Sequence, residues 1–319
     1  MSLKNLWVTC VSAVFLLALS APRAEATTFL YGASQYSAFV QQSFTMSGSD
    51  SKGAVAAGTV MTLSGGVSVG SGYTGTPAWS VVAVTSLNCP TSGSCSADGN
   101  IWTSAETGTI YNNYTGGINH STGGTSPIDF SNNFTQLKNL STSLSGMAAT
   151  SGDGCSYNSD SKTITCTATK AGMNVINIPA SSADPNAVTA AMLGQSGIGL
   201  VFNINAGYLV VNVAGGSLAL SSGSFAASDV TKLLINYSSN TTALTLGGTV
   251  DGSVLAPWAV VTAPHANGQF TGNLIAQSYS GGSLEFEGEL FNELPEPGTF
   301  AMLGGGALLL WAARRRARR

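Results

Sequence analysis

Residues 29–72 are cut into short β-type runs by turns of small residues, and this segmentation limits the fold more than any other feature of the chain. In Gly53-Ala-Val-Ala-Ala-Gly58-Thr-Val-Met-Thr-Leu63-Ser-Gly-Gly66-Val-Ser-Val69, apolar side chains recur at alternate positions within runs of four to six residues. Runs this short bury too little to stand as independent sheets. They suit stacked rungs, with glycine at the corners supplying positive φ. The same pattern returns at 174–178, 199–204, 208–213, 232–237, 243–246, 252–256, 259–261, 269–275 and 283–287. The fold class implied is mainly β, and specifically a β-solenoid-like stack. Spacing is irregular and no motif repeats at a fixed period, so a Greek-key β-sandwich, which also buries short strands, stays open as the alternative.

Two segments depart from the pattern. Residues 71–114 are looser and read as an irregular cap or insertion. Residues 126–147 place Ile128, Phe130, Phe134, Leu137, Leu140 and Leu144 at helical spacing, with Ser126-Pro127 at the start and Gly146 near the end. The spacing predicts one helix over 126–147, whose apolar stripe the flank of the β body must cover.

Charge is scarce: 8% of the 319 residues are charged, against 39 glycines. That composition excludes a coiled coil and a polyelectrolyte tail. Every arginine lies near an end, at Arg23, Arg314, Arg315, Arg316, Arg318 and Arg319. Between Thr27 and Leu294 stand five lysines and thirteen acids, a formal charge of −8. Such a body has no basic footprint for a phosphate backbone, which excludes nucleic acid as a partner.

The ends read as addresses. Lys4, an apolar run from Leu6 to Leu19 and the small-residue cleavage site Ala24-Glu25-Ala26 make residues 1–26 a secretory signal peptide. At the other end, Pro295-Glu296-Pro297 precedes a largely apolar stretch, 300–313, and a basic stop at Arg314, Arg315, Arg316, Arg318 and Arg319. A helix over 300–313 covers about 21 Å, short of a ~30 Å hydrocarbon core, and the arginines extend its reach by snorkelling to the interface. In order and spacing, residues 294–319 resemble the PEP-CTERM sorting signal. The resemblance implies an exosortase as partner, reading Pro295, Glu296 and Pro297. It further implies transient anchoring in the inner membrane of a Gram-negative bacterium, followed by delivery to the cell envelope, outer surface or extracellular matrix.

The body keeps Cys89, Cys95, Cys155 and Cys166, an even number in an exported chain. Three connectivities are possible. The short Ser-, Gly- and Asn-rich loops favour Cys89–Cys95 and Cys155–Cys166, and no nearby histidine supports a metal site. A second resemblance rests on Val201-Phe-Asn-Ile204, Leu234-Ile-Asn-Tyr237, Gly252-Ser-Val-Leu-Ala-Pro-Trp-Ala259, Phe270-Thr-Gly-Asn-Leu-Ile-Ala-Gln-Ser278 and Glu285-Phe-Glu-Gly-Glu-Leu-Phe291. These stretches look like the choice-of-anchor A domain of bacterial surface proteins, over residues 27–293. That resemblance implies an adhesive domain related to ice-binding-type β-solenoids, with a helix along one side.

Candidate chemistry is thin. His120 and His265 sit in loop-like contexts without a neighbouring nucleophile and acid, so no catalytic residue, metal ligand or cofactor is expected. Glu285, Glu287 and Glu289 alternate and read as a charged edge that discourages sheet aggregation, although a calcium site or a glycosidase carboxylate pair shares the pattern. Thr163, Thr165, Thr167 and Thr169 form a hydroxyl row along one run and read as an ordinary solvent-facing strand. Trp79, Trp102 and Trp258 are open to either sugar stacking or burial, and Asn-x-Ser/Thr sequons occur at Asn113, Asn119, Asn133, Asn139, Asn236 and Asn240. The expectation is an exported, non-catalytic surface or matrix protein that adheres to exopolysaccharide or another surface ligand. A secreted carbohydrate-active β-helix enzyme and an ice-binding protein are the alternatives.

Overall fold

The structure, a computed structural model, describes residues 29–90, 95–112, 120–221, 224–264 and 267–292. The leader 1–26 with Ala24 and Ala26, and the tail 294–319 with Pro295, Glu296, Pro297 and the terminal arginines, lie outside the described residues. No helix among the described residues is long and apolar enough to cross a membrane. The body, Leu30–Leu294, is one compact unit.

Its strands pair in parallel, rung upon rung, as three faces of a solenoid. On the first face the order is His120–Thr122, Ile101–Thr103, Val81–Ala83, Val55–Ala57, Ala38–Val40, the first part of Leu274–Gly282, the first part of Ser253–Ala263, Leu233–Tyr237, Tyr208–Val213 and Met173–Ile178. On the second it is Glu106–Gly108, Ser86–Cys89, Val60–Ser64, Phe44–Ser47, the later parts of Leu274–Gly282 and Ser253–Ala263, Ala243–Gly247 and Ser217–Ser221. The third face runs from Ile110–Asn112 through Cys95–Ala97, Val67–Val69, Ser51, Leu284–Phe286 and Gly268–Thr271 to Val250–Asp251. It resumes with Ser224–Ala227, Gly199–Ile204 and Thr163–Ala168. Among the described residues one pair is antiparallel, the hairpin of Gly154–Asn158 with Thr163–Ala168. A stack of parallel rungs is a solenoid and rules out the Greek-key sandwich.

Residues 71–114 correct the expectation of a cap or insertion. They supply two coils, Val81–Ala83, Ser86–Cys89 and Cys95–Ala97, then Ile101–Thr103, Glu106–Gly108 and Ile110–Asn112. Rungs of three or four residues are too short to display a period of two, which hid them in the sequence. Among the described residues of this span the irregular part is confined to about residues 70–80.

The described part of the chain enters the stack in its middle, at Ala38–Val40. It winds outward to one end through Ile110–Asn112, returns in a helix, and winds inward from the far end until Ala38–Val40 pairs with Leu274, Ile275 and Ala276. This seam is reinforced by Phe44–Ser47 on Tyr279–Gly282 and by Ser51, which bridges Val69 and Phe286. Asn273, fully buried, binds both arms of the chain there: its amide donates to the carbonyls of Ala33 (3.2 Å), Ser34 (3.1 Å) and Tyr36 (2.8 Å), and its Oδ1 accepts from the Phe291 N–H (2.8 Å). Corner glycines let adjacent coils close up. Gly252 and Gly272 have φ of +120° and +136°, and a Cβ on Gly272 would lie 2.5 Å from the Gly252 carbonyl oxygen.

The helix is Phe130–Ser145, shorter than the predicted 126–147 because Asp129 caps it, accepting from the Asn132 N–H at 3.0 Å. Phe130, Phe134, Leu137, Ser141 and Leu144 are the buried residues of the helix, and the first sheet beneath it is buried on both sides and reads as near-continuous apolar runs, as at Leu233–Tyr237. One outward column of that sheet, Phe39, Ile275, Leu255, Asn236, Asn212 and Asn177, lies in register across six rungs. Phe39 stacks on Phe130 and Phe134, with ring centroids 4.9 and 5.5 Å apart. At the other end the amides of Asn236, Asn212 and Asn177 donate to the carbonyls of Ser141 (3.1 Å), Leu144 (2.7 Å) and Met147 (2.9 Å). Asn236 also donates to Asn212 (2.8 Å), and Asn212 to Asn177 (2.8 Å). The last carbonyls of a helix lack partners within it; those of Thr142 and Ser143 accept from Gly146 N–H, and that of Leu144 from Met147 N–H at 3.1 Å as well as from the amide ladder, which ties the helix end to the sheet.

Two predictions follow from these contacts. Asn212→Ala removes a donor to Leu144 O, which keeps only the Met147 N–H, and removes the acceptor of a buried Asn236 N–H, so urea denaturation should show a loss of about 1–3 kcal/mol. At the seam, Lys52 lies between Glu285 (3.6 Å) and Glu287. Its hydrogen bond to Glu287 holds the ammonium above the ordinary 10.5, outweighing the opposing desolvation, and the charges of both glutamates add to the rise. A pKa raised on folding gives stability that is complete below the unfolded value and lost as pH climbs through the folded one. The stability difference between wild type and Lys52→Met should be constant from pH 8 to 10 and shrink above 10.5.

Candidate functional site

The second face, against which the helix does not pack and which the turn Ala190–Gly194 meets only at the Ala219 end, alternates regularly. Inward stand Leu218, Leu244, Val261, Tyr279, Phe44, Met61 and Leu87 in one column, and Leu220, Leu246, Ala263, Gly281, Met46, Leu63 and Cys89 in the next. Most of these side chains are buried in the solenoid core. Between the two columns, pointing outward, runs a third: Ala219, Thr245, Thr262, Ser280, Thr45, Thr62, Asn88 and Thr107, in continuous register.

Parallel strands lie ~4.8 Å apart, so the six steps from Thr245 to Thr107 make a polar ladder of about 29 Å, with Ala219 one rung beyond it. Thr245 and Thr262 hydroxyls are 3.4 Å apart, and Thr107 Oγ1 donates to Asn88 Oδ1 at 2.6 Å. To one side stand Ser217, Ala243, Val260, Ser278, Val60 and Ser86; to the other, Gly282, Ser47 and Ser64. Val260, 43% exposed, is one of the few large apolar side chains open to solvent. None of these outward positions carries a charge; Glu106 stands only at the end rung, in line with the Leu87 column. The backbone ladder fixes the spacing of the column, and its short, mostly β-branched side chains are stiff at χ1, so a ligand meets a neutral, periodic surface with little side-chain entropy left to lose.

The sequence reading did not find this ladder. Its members come from separate coils, so no contiguous motif marks them. The available signal was a polar residue between two apolar ones, as in Phe44-Thr45-Met46, Met61-Thr62-Leu63, Leu244-Thr245-Leu246 and Val261-Thr262-Ala263. The row that sequence did display, Thr163, Thr165 and Thr167, runs along one strand of the third face and faces Gly199, Val201 and Asn203, so it builds no ladder. Thr169 lies beyond that strand and donates to Asp153 Oδ1 at 2.8 Å.

The remaining candidates fall elsewhere. Cys89 pairs with Cys95 at the corner between the second and third faces, and Cys155 with Cys166 across the hairpin. Glu285 and Glu287 are not on a free edge, since Leu284–Phe286 pairs with Gly268–Thr271 on one side and meets Ser51 on the other, and Lys52 relieves their repulsion. Glu289 lies past the strand, after Gly288 at φ +80°. Among the described residues no group of three or more His, Cys, Asp or Glu could hold a metal ion. His120 lies in a first-face strand, and His265 falls outside the described residues. Trp102 is buried, while Trp79 and Trp258 are half-buried. Of the sequons, Asn236 is buried in the amide ladder and Asn133 is bonded to Gly32 and Asp129; Asn139 and Asn240 are exposed, and Asn113 and Asn119 lie outside the described residues.

Comparison with known proteins gives one family, described as "Putative Ice-binding-like adhesive domain", matching residues 29–288. No curated protein matches the chain. Among solved structures it is similar to an ice-binding protein from the Antarctic ascomycete Antarctomyces psychrotrophicus, with 12% identity over 83% of this chain and 98% of that one and a TM-score of 0.33. A glycosylated ice-binding protein from an Arctic yeast matches with 11% identity over 86% of this chain and 98% of that one, at a TM-score of 0.38. With 260 of the 319 residues inside the matched span, the chain belongs to the ice-binding-like adhesive domain family.

Proposed function

We propose that this chain is an exported, non-catalytic surface or matrix protein whose second face adheres to a neutral, repeating, hydroxyl-rich polymer, in the first instance exopolysaccharide. The observation that carries the reading is the uncharged ladder from Thr245 to Thr107. Each hydrogen bond nets only about 0.5–1.5 kcal/mol, so a single rung holds nothing; a preorganised row of them against a periodic polymer does. The absence of any cation in the ladder disfavours acidic polymers. It equally disfavours a lyase, which would need positive charge beside the substrate carboxylate. Ice is the second reading: Ala219, Ala243, Val60 and Val260 beside the hydroxyls give a face that can also order water.

The finer assignment draws on the ends and the body motifs. A leader over 1–26, a choice-of-anchor A-like body and a PEP-CTERM-like tail support export in a Gram-negative bacterium. Recognition by an exosortase, passage through an inner-membrane stage on the helix 300–313 and residence at the cell surface or in the biofilm matrix complete the proposal.

Binding of the full-length chain to insoluble neutral and acidic polysaccharides, measured by co-sedimentation, tests the face. Thr62→Lys with Thr262→Lys should weaken binding to the neutral polymer at least tenfold, while Thr165→Lys on the third face leaves it unchanged. Equal binding by all three proteins, or preference for acidic polymers, sinks the polysaccharide reading. Inhibition of ice recrystallisation that disappears with the same pair moves the face to ice, and turnover of any glycan overturns the non-catalytic reading. Sorting is tested apart: alanine at Pro295, Glu296 and Pro297 should abolish processing and retain the protein in the membrane fraction, and unchanged fractionation would refute it.

A further inference from the structure

Away from the ladder, a cavity of about 330 Å³ opens beside the start of the helix. Three segments build it: the N-terminal turn with Gly32, Gln35 and Tyr36, the irregular excursion with Trp79, and the helix start with Asp129 and Asn133. Its volume lies at the small end of the range for ligand pockets, enough for one or two sugar rings.

Three observations give it a chemistry. Trp79 is half-buried in the wall and makes no ring contact or hydrogen bond among the described residues, so no other ring or polar group competes with a ligand for it there. Asp129 uses Oδ1 to cap the helix and leaves Oδ2 without a partner among the described residues. Gln35 is exposed and likewise makes no hydrogen bond there. Asn133 is held in place, its Oδ1 accepting from Gly32 N–H (2.9 Å) and its Nδ2 donating to Asp129 O (2.8 Å), so the floor is rigid.

One flat apolar ring flanked by planar polar groups matches a pyranose, whose C–H face lies on the electron-rich face of an aromatic ring while its hydroxyls point sideways to donors and acceptors. A cage for an alkylammonium ion would instead need several free ring faces. The second ring here, Tyr36, is already packed on Phe39, with centroids 5.7 Å apart.

We propose that this cavity binds a single pyranose at the end of a neutral saccharide, stacked on Trp79 and hydrogen-bonded by Asp129 and Gln35. The proposal stands on different residues from the ladder and is independent of it. With both in place, the molecule grips the length of a chain on one face and a chain end at another.

Saturation-transfer NMR on the full-length protein tests it, with methyl β-D-glucopyranoside, methyl β-D-galactopyranoside, methyl α-D-mannopyranoside and N-acetylglucosamine as probes and tetramethylammonium as the cation control. At least one glycoside should show transfer concentrated on the C–H protons of one ring face. Trp79→Ala should weaken it tenfold or more. Asp129→Asn, which keeps a good helix cap and hence the fold, should weaken it several-fold with an unchanged melting temperature. Thr62→Lys should have no effect. Absence of binding by every glycoside, affinity unchanged in both pocket variants, loss that follows Thr62→Lys instead, or Trp79-dependent binding of tetramethylammonium alone would each overturn the proposal.

Discussion

Ala38–Val40 pairs with Leu274, Ile275 and Ala276, and the other features of the body depend on that register. These rungs come from opposite ends of the described chain, so closing them orders nearly the whole body at once, and the backbone bonds gained are few against the chain entropy lost. The surrounding contacts act at the same place. Asn273 binds carbonyls of the N-terminal turn and the amide of Phe291, Ser51 bridges coils on either side, and Lys52 meets Glu285 and Glu287 across the join. Without the seam there would be two half-stacks with exposed strand edges, which are the surfaces that pair wrongly.

What could be read in the sequence divides by whether an interaction lies within a run or between runs. The helix was legible because Phe130, Phe134, Leu137 and Leu144 sit on one contiguous segment. The β character was legible from alternation. The stacking order was not, because the partner of Phe39 is Ile275 and nothing local to either announces it. The polar ladder failed for the same reason: its neighbours are 17 residues apart at Thr245 and Thr262 and 19 at Asn88 and Thr107, so it appears only after the coils are superposed. The asparagine column is intermediate. Ile176-Asn177-Ile178, Val211-Asn212-Val213 and Ile235-Asn236-Tyr237 look alike in the sequence, yet their shared role under the helix end emerges only with the fold.

Each face uses the same rung geometry with different outward chemistry. On the first, apolar and amide side chains receive the helix. The second presents hydroxyls and small apolar groups without charge. Acids and Lys52 gather on the third, around the seam. Segregating charge in this way leaves the face proposed for adhesion free of fields that would attract counter-ions or select polymers by sign.

The helix also behaves as a ruler. Sixteen residues at ~1.5 Å give about 24 Å, and the five steps from Phe39 to Asn177 at ~4.8 Å give the same length. The amide donors reach the carbonyls of residues 141, 144 and 147, three residues of chain for every rung, the last just past the helix cap. One more coil between the seam and the far end would thus demand one more three-residue increment of helix, carrying its own contact to the sheet. Coil number in this half of the molecule is metered by the helix, whereas the other half, which the helix does not span, has no such gauge and is free to differ in length.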